Sequence, residues 1–221
     1  MSMQNGTRIG CKDAFHAFLI KNASFDGDLE IPHIQKTLDV PDHLIPFSKA
    51  LRSTDYSAWV HFYEDDVVFE RVWTQPNRYL PVLRRFAGVI TPDFSLYRDM
   101  PLVMQQWNTY RGKALGHWWQ ENSLTVVPNV RTADRRSFAF CCDGVERESV
   151  IAIGSHGCIR SRIDREYFAE GLAFVVETIH PPKIIVYGTA PDEIFLPYKA
   201  QGVEIFQFDS EYSVSRKAVS A

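Results

Sequence analysis

Residues 150–162 read VIAIGSHGCIRSR, and the rest of the chain is organised around them. Val150, Ile151, Ala152 and Ile153 form a short apolar run rich in β-branched residues and bounded by Gly154. Such a run reads as a buried strand of a parallel sheet. A small loop, Ser155-His156-Gly157-Cys158, leads to the basic residues Arg160 and Arg162. Ser161 and Asp164 then have the spacing of a capping box, which places a helix start there. A histidine and a cysteine two residues apart therefore sit on a strand-to-helix turn, at the end of an α/β sheet where ligands bind.

The same alternation extends in both directions. Toward the N-terminus, residues 59–63 (WVHFY) read as a strand closed by Glu64-Asp65-Asp66, and Pro76 opens a helix to residue 85. Residues 87–91 are the next strand, running into Pro92-Asp93-Phe94-Ser95. A long helix over 101–121 follows, with a helically spaced stripe through Met104, Trp107, Leu115 and Trp118 that reads as core. Residues 124–127 and 137–142 read as two more strands, ending at Asn129 and Asp143. Adjacent Cys141 and Cys142 would then point to opposite faces. Toward the C-terminus come a helix to residue 179, a strand at 183–187, a helix stopped by Gly202 and a last strand at 203–208. Ahead of Ala58 the pattern is weak, with a short amphipathic stretch at 13–21, a strand at 29–32 and a loop bracketed by Pro41 and Pro46. The organisation expected is an N-terminal extension (1–57) packed on an α/β domain (58–210), followed by a polar tail (211–221).

Strands of about five residues alternating with helices imply a parallel sheet with right-handed crossovers. No glycine-rich phosphate loop follows any strand, which weakens a dinucleotide-binding reading. Polar residues end nearly every strand, and a ring of polar strand ends suits a barrel with one active face. The fold class expected is α/β, a small or incomplete TIM-like barrel rather than an open doubly wound sheet.

Composition sets outer bounds. The chain has 221 residues, 45% of them hydrophobic and 23% charged, with a formal net charge of −3. That balance suits a globular protein with a sizeable core, and gives no global basic excess for nucleic acid or an anionic membrane surface. No run approaches a membrane span, and the first residues hold no apolar core of signal-peptide length. Four cysteines in no disulfide-like pattern complete a cytoplasmic reading.

The stretches FERVWTQPNRYLPVLRRFAGVITPDFSLYRDMP, WNTYRGKALGHWWQ, PNVR, GSHGCIR and IIVYGTAPDEIF together resemble the domain-of-unknown-function 4417 family. The resemblance covers roughly residues 59–208, with PDFSLYRDMP its most distinctive part. It implies a setting in bacteria, phages or other mobile elements and sets no reaction. SHGCIR also resembles the core motif of the L,D-transpeptidases, which use a cysteine thiolate. In that family a further histidine lies a short way upstream, where this chain has none nearer than His117. Those enzymes are β-rich and exported, so the likeness is read as local.

The candidate site residues lie at the strand ends. Cys158, near a helix start with His156, Arg160 and Arg162 close by, is the candidate thiolate nucleophile; otherwise it is a small buried residue beside a tight turn. Asp93 is a candidate base or nucleophile, and Ser95 a substrate contact; the bland alternative is a local turn cap. Asn129, Arg131, Asp143 and Arg160 suit orientation of a polar or anionic substrate, unless Arg131 only pairs with Asp93 or Asp143. A zinc site from Cys141 or Cys142, His156 and Cys158 lacks paired spacing and is not favoured, nor is a cation at Glu64-Asp65-Asp66. The cofactor is unknown and the oligomeric state is open. The function expected is a transferase or hydrolase acting on a nucleotide or nucleobase-type substrate. By fold-level analogy Asp93 would be the nucleophile and Arg131 a phosphate contact. The alternative is a non-catalytic phage factor that binds a host protein or small nucleotide.

Overall fold

In the computed structural model, which describes residues 13–210, short parallel strands run in chain order between helices. The first described segment makes a 3-10 turn, Ala17–Ile20, and a two-residue hairpin, β1 (Phe25–Asp26) with β2 (Ile31–Pro32). Asp13 holds that turn by accepting the Ala17 N–H at 3.0 Å, so residues 13–21 form a single turn instead of an amphipathic helix.

Seven strands follow: β3 (Leu44–Pro46), β4 (Trp59–His61), β5 (Gly88–Ile90), β6 (Val126–Val127), β7 (Ile151–Gly154), β8 (Lys183–Tyr187) and β9 (Glu204–Phe208). β3 through β6 pair as one parallel sheet and β7 through β9 as another. A parallel bridge between Asn129 and Ala152 joins them, with Val130 donating to the Ala152 carbonyl and Ala152 to the Pro128 carbonyl, both at 2.9 Å. Between the strands lie α1 (Phe47–Ala50), α2 (Asp66–Phe69), α3 (Arg71–Thr74), α4 (Pro76–Leu83), α5 (Leu102–Glu121), α6 (Arg162–Ile179) and α7 (Asp192–Ala200).

The period-2 alternation of strand side chains divides the core. Val60, Val89 and Val126 face the helices and pack with Phe47, Phe62, Leu115 and Trp119. Ile151, Ile153, Ile184 and Val186 do the same against α6 and α7. The opposite face collects Trp59, Ile90, Val127, Ala152 and Ile185 into one cluster. Leu44 and Phe206, from the first and last of the seven strands, pack against that same cluster. Gly88 is where the Trp59 ring lies, since a Cβ there would be 2.5 Å from it.

Two further features differ from the sequence reading. β3 lies within the stretch read as an extension, too short for alternation to reveal. Residues 137–142 are not a strand: a 3-10 helix, Arg135–Ala139, runs into a turn. Asp134 caps it by accepting from the Arg136 N–H at 2.9 Å, while the Ser137 hydroxyl donates to the Asp134 carbonyl at 2.6 Å. These local bonds outcompete a strand ladder for the same backbone. Cys141 and Cys142 consequently share one side, both buried, with sulfurs 3.7 Å apart.

Candidate functional site

The loops after β5, β6 and β7 meet α6 around a cavity of about 840 Å³. β7 ends at Gly154, and Ser155 turns the chain by donating its backbone N–H to the Tyr187 carbonyl at 3.0 Å and its hydroxyl to the Thr189 carbonyl at 2.7 Å. Gly188, at φ +118°, makes room for this turn, because a Cβ would lie 2.8 Å from the His156 nitrogen. The expected capping box is present, with Asp164 donating its N–H to Ser161 Oγ at 3.0 Å and receiving the Ser161 hydroxyl at 2.7 Å. His156, Cys158 and Arg160 thereby reach the cavity together.

Arg131 reaches it from the end of β6. Just behind, Asp93 is buried, with one carboxylate oxygen accepting from Asn129 Nδ2 at 2.8 Å and the other from Arg131 Nη1. Asn129 in turn accepts the Tyr63 hydroxyl at 2.9 Å on its side-chain oxygen. Its backbone N–H donates to the Thr91 hydroxyl at 2.8 Å, and Lys113 Nζ donates to its carbonyl at 3.0 Å. Tyr63 lies flat on Tyr187, ring centroids 4.7 Å apart, and His61 contacts the same tyrosine at 4.5 Å. Three adjoining strand ends and one helix thus make a continuous polar network, the arrangement in which each bond stiffens the next.

Burial dominates the electrostatics. It pushes the Asp93 carboxyl up, against the pull of Arg131 and Asn129. Burial also works against the charge on Arg131, but the adjacent carboxylate outweighs it and keeps the guanidinium protonated. Burial lowers Lys113 to about 8 and His61 to about 3. The Tyr63 hydroxyl is raised, first by burial and then by Asp93. The Cys158 thiol is raised as well, desolvation outweighing Arg131, and its proton points to the His156 carbonyl at 3.7 Å. The sequence neighbourhood suggested a lowered thiol; the structure gives the reverse. Arg162, one of the cations expected to help, is engaged with Glu166 at 2.9 Å.

The structure therefore brings Asp93, Asn129, Arg131, His156, Cys158 and Arg160 to one place and leaves two expected residues out. Ser95 turns to α2, its N–H and hydroxyl both donating to Asp66 at 3.1 and 2.8 Å. Asp143 packs over the β1–β2 hairpin, where a Cβ on Gly27 would lie 2.0 Å from its carboxylate, and burial raises its pKa. It leaves the strand-end set because the segment that carries it is not a strand. Among the described residues no group of three or more His, Cys, Asp or Glu could hold a metal ion, so the Cys141/Cys142–His156–Cys158 arrangement is not formed.

Sequence reasoning missed Tyr63, Lys113 and Arg98. Tyr63 closes the WVHFY alternation, so its place at a strand end was readable. Lys113 lies opposite the stripe read as core, on a helix buried on nearly all sides from Arg111 to Trp119, while Met104 and Trp107 of that stripe are exposed. Gly112 and Gly116, one turn apart, mark the close approach: a Cβ at 116 would be 2.6 Å from Thr91. Arg98 pairs with Asp164 at 2.7 Å and lies over the Tyr167 ring, fixing the 93–99 loop to the start of α6.

Residues 23–209 match a protein family described as Domain of unknown function (DUF4417). The chain belongs to this family. It is 34% identical over 198 residues to the Gene 1 protein of Mycobacterium phage L5, which covers 87% of this chain and 83% of that protein. It is also 34% identical over 197 residues to the Gene 1 protein of Mycobacterium phage D29, covering 86% and 70%. No solved structure matches the chain. The family match takes in the hairpin β1–β2 and β3 as well as every residue of the network and cavity described above. Among the described residues, no helix is long and apolar enough to cross a membrane.

Proposed function

We propose that the seven parallel strands curl into an incomplete TIM-like barrel, and that the cavity above their C-terminal ends binds a small, phosphate-bearing molecule of the nucleotide type. Strand order follows the chain without the reversal that defines a doubly wound sheet. Tyr63 and Tyr187 follow or end strands four places apart, roughly 19 Å in a flat sheet, yet their rings stack. Sequential order and strong curvature together support a barrel with its site at the C-terminal strand ends.

The observation that carries the ligand reading is Arg131. Asp93 keeps its guanidinium charged and oriented while using one of its N–H groups, and it opens onto a cavity large enough for a nucleotide. A fork of fixed donors at the base of a cavity suits a phosphate or carboxylate. Titration calorimetry with inorganic phosphate and nucleotides tests this. Wild-type protein binding a phosphate-bearing ligand, with Arg131→Gln weakened at least tenfold, supports the reading; equal affinity in both proteins rejects it.

Transferase or hydrolase chemistry on the bound molecule is a second reading, favoured by the Asp93 carboxyl. Its pKa is raised by burial, and it lies where a barrel enzyme keeps its acid or base. Cys158 is a poorer nucleophile candidate, protonated and without a lowered pKa. Product formation from a nucleotide panel, lost in Asp93→Asn with binding retained, distinguishes turnover from a phage factor that only binds. The described cysteines are all free, which supports the cytoplasmic setting.

A further inference from the structure

Resting on the strand-end cavity as a phosphate site, we propose that its ligand carries a single phosphate, joined to a flat, largely apolar body with hydroxyl or amino donors: a nucleoside monophosphate and not a di- or triphosphate. Charge limits what the cavity can hold. The cavity presents three arginines, of which Arg98 is committed to Asp164 and Arg131 shares its charge with Asp93. Only Arg160 is a cation with no protein partner among the described residues. Against these stand Asp65 and Asp99, which line the same cavity with side chains that have no hydrogen bond or ion pair among the described residues. With Arg131 paired to Asp93, Arg160 supplies the one uncommitted positive charge beside it, enough for a single phosphate and not for a chain of them. A triphosphate would bring further negative charge toward two uncompensated carboxylates, with no glycine-rich loop and no described cluster of metal ligands to absorb it.

Those same carboxylates are acceptors only, and the partners that satisfy them are hydroxyl or amino donors such as a sugar and a base edge provide. Beside the polar His156, Thr132 and Asp164, much of the rest of the wall is apolar or aromatic. Val130, Ile153, Leu172 and Phe168 form its side against α6, and Tyr97 and Tyr167 stand exposed at the rim, where a planar ring can stack. Gly171 opens this slot to the loop after β6. α6 there approaches so closely that a Cβ would lie 2.1 Å from the Thr132 hydroxyl.

The test is calorimetry on the full-length protein with inorganic phosphate, phenyl phosphate, and nucleoside mono-, di- and triphosphates, each with and without Mg²⁺. The inference expects a monophosphate nucleotide to bind best, roughly tenfold tighter than its triphosphate and than phenyl phosphate. Asp99→Asn, a change at an exposed position, narrows the gap to the triphosphate, while Arg160→Ala weakens every phosphate ligand. A triphosphate with Mg²⁺ binding best overturns the inference while leaving the phosphate site intact. Phenyl phosphate matching the nucleotide also overturns it, by removing the role of the carboxylates. If no probe binds, or if Arg131→Gln leaves all affinities unchanged, the phosphate site itself falls and the inference goes with it.

Discussion

Lys113→Met offers the sharpest test of the polar network beneath the cavity. The amine is buried inside α5, and its one fixed acceptor is the Asn129 carbonyl. Desolvation is the largest influence on it, opposed by Cys142, Cys141 and Asp143, and brings its pKa from 10.5 to about 8. In the unfolded chain the lysine holds its proton up to its ordinary value; in the folded protein it releases it near 8. Between those values the unfolded state binds more protons, so this group makes stability rise with pH. Below pH 8 both states are protonated and the burial penalty is complete and constant. At about 1.4 kcal/mol per decade the full penalty is about 3 kcal/mol, of which 2–3 kcal/mol is relieved between pH 7 and pH 10.

Methionine keeps the unbranched stem and removes the titration. Its effect at pH 7 alone is a poor readout, because relief of the buried charge opposes the loss of a donor to the Asn129 carbonyl. The informative quantity is the difference in unfolding free energy between wild type and variant, taken from urea titrations at pH 7, 8, 9 and 10. Other titrations common to both proteins cancel. Wild type gains about 2–3 kcal/mol on the variant across that range, nearly all above pH 8. A flat difference refutes the reasoning, showing that Lys113 holds its proton in the fold as firmly as in water. A difference that falls with pH refutes it more specifically: the Cys141–Cys142 pair would then supply a thiolate partner.

Three further outcomes follow from the same structure. His61, lowered by burial and then by Lys49 to about 3, favours the neutral ring, so the fold loses stability as pH falls from 6.5 toward 3. Removing that titration with His61→Gln flattens the acid limb of a stability–pH curve by up to about 5 kcal/mol; an unchanged limb counts against it. Gly171→Ala drives a methyl group into the stiff Thr132 side chain and costs about 1–3 kcal/mol by thermal or urea unfolding. Thr132→Ala restores most of that loss, and no rescue would place the strain elsewhere. Asp93→Ala strands the Arg131 charge and costs about 3 kcal/mol, whereas Asp93→Ala with Arg131→Met costs clearly less than the two single changes added. Additive losses in that cycle would mean the pair is not coupled.

The fold was legible where local signals and the tertiary structure agree. The apolar run at 151–154, the turn after it and the Ser161 cap are all local, and β7 and α6 form where they were expected. β3 was harder for a physical reason: at three residues it has too little alternation to show, and its pairing with β4 stabilises it. Residues 137–142 show the converse. Aromatic and small residues alternate there as in a strand, but Asp134 and Ser137 offer the backbone nearer partners. The environment of Cys158 depends on contacts that nearness in sequence does not specify. Arg162 turns to Glu166 on its own helix, and burial decides the thiol. Lys113, Tyr63 and Tyr187 meet only through the arrangement of strands, so no window of sequence contains them together.

The fate of the polar strand ends separates coincidence from design in this site. A polar residue near a strand end is in itself unremarkable. Asp93, Asn129, Arg131 and His156 follow true strands that lie side by side, so each strand delivers its residue to the same edge of the sheet. Asp143 follows a 3-10 turn and is delivered elsewhere, over the hairpin at Gly27. The convergence is therefore a consequence of strand order, and the bonds among the converged residues add to it. Tyr63 donates to Asn129, Asn129 and Arg131 donate to Asp93, and each of these donors has one fixed acceptor across a strand boundary. A network that served stability alone would close on itself. This one leaves four of the five N–H groups of a charged guanidinium without an acceptor among the described residues where the cavity opens. That asymmetry is what the anion proposed here would complete.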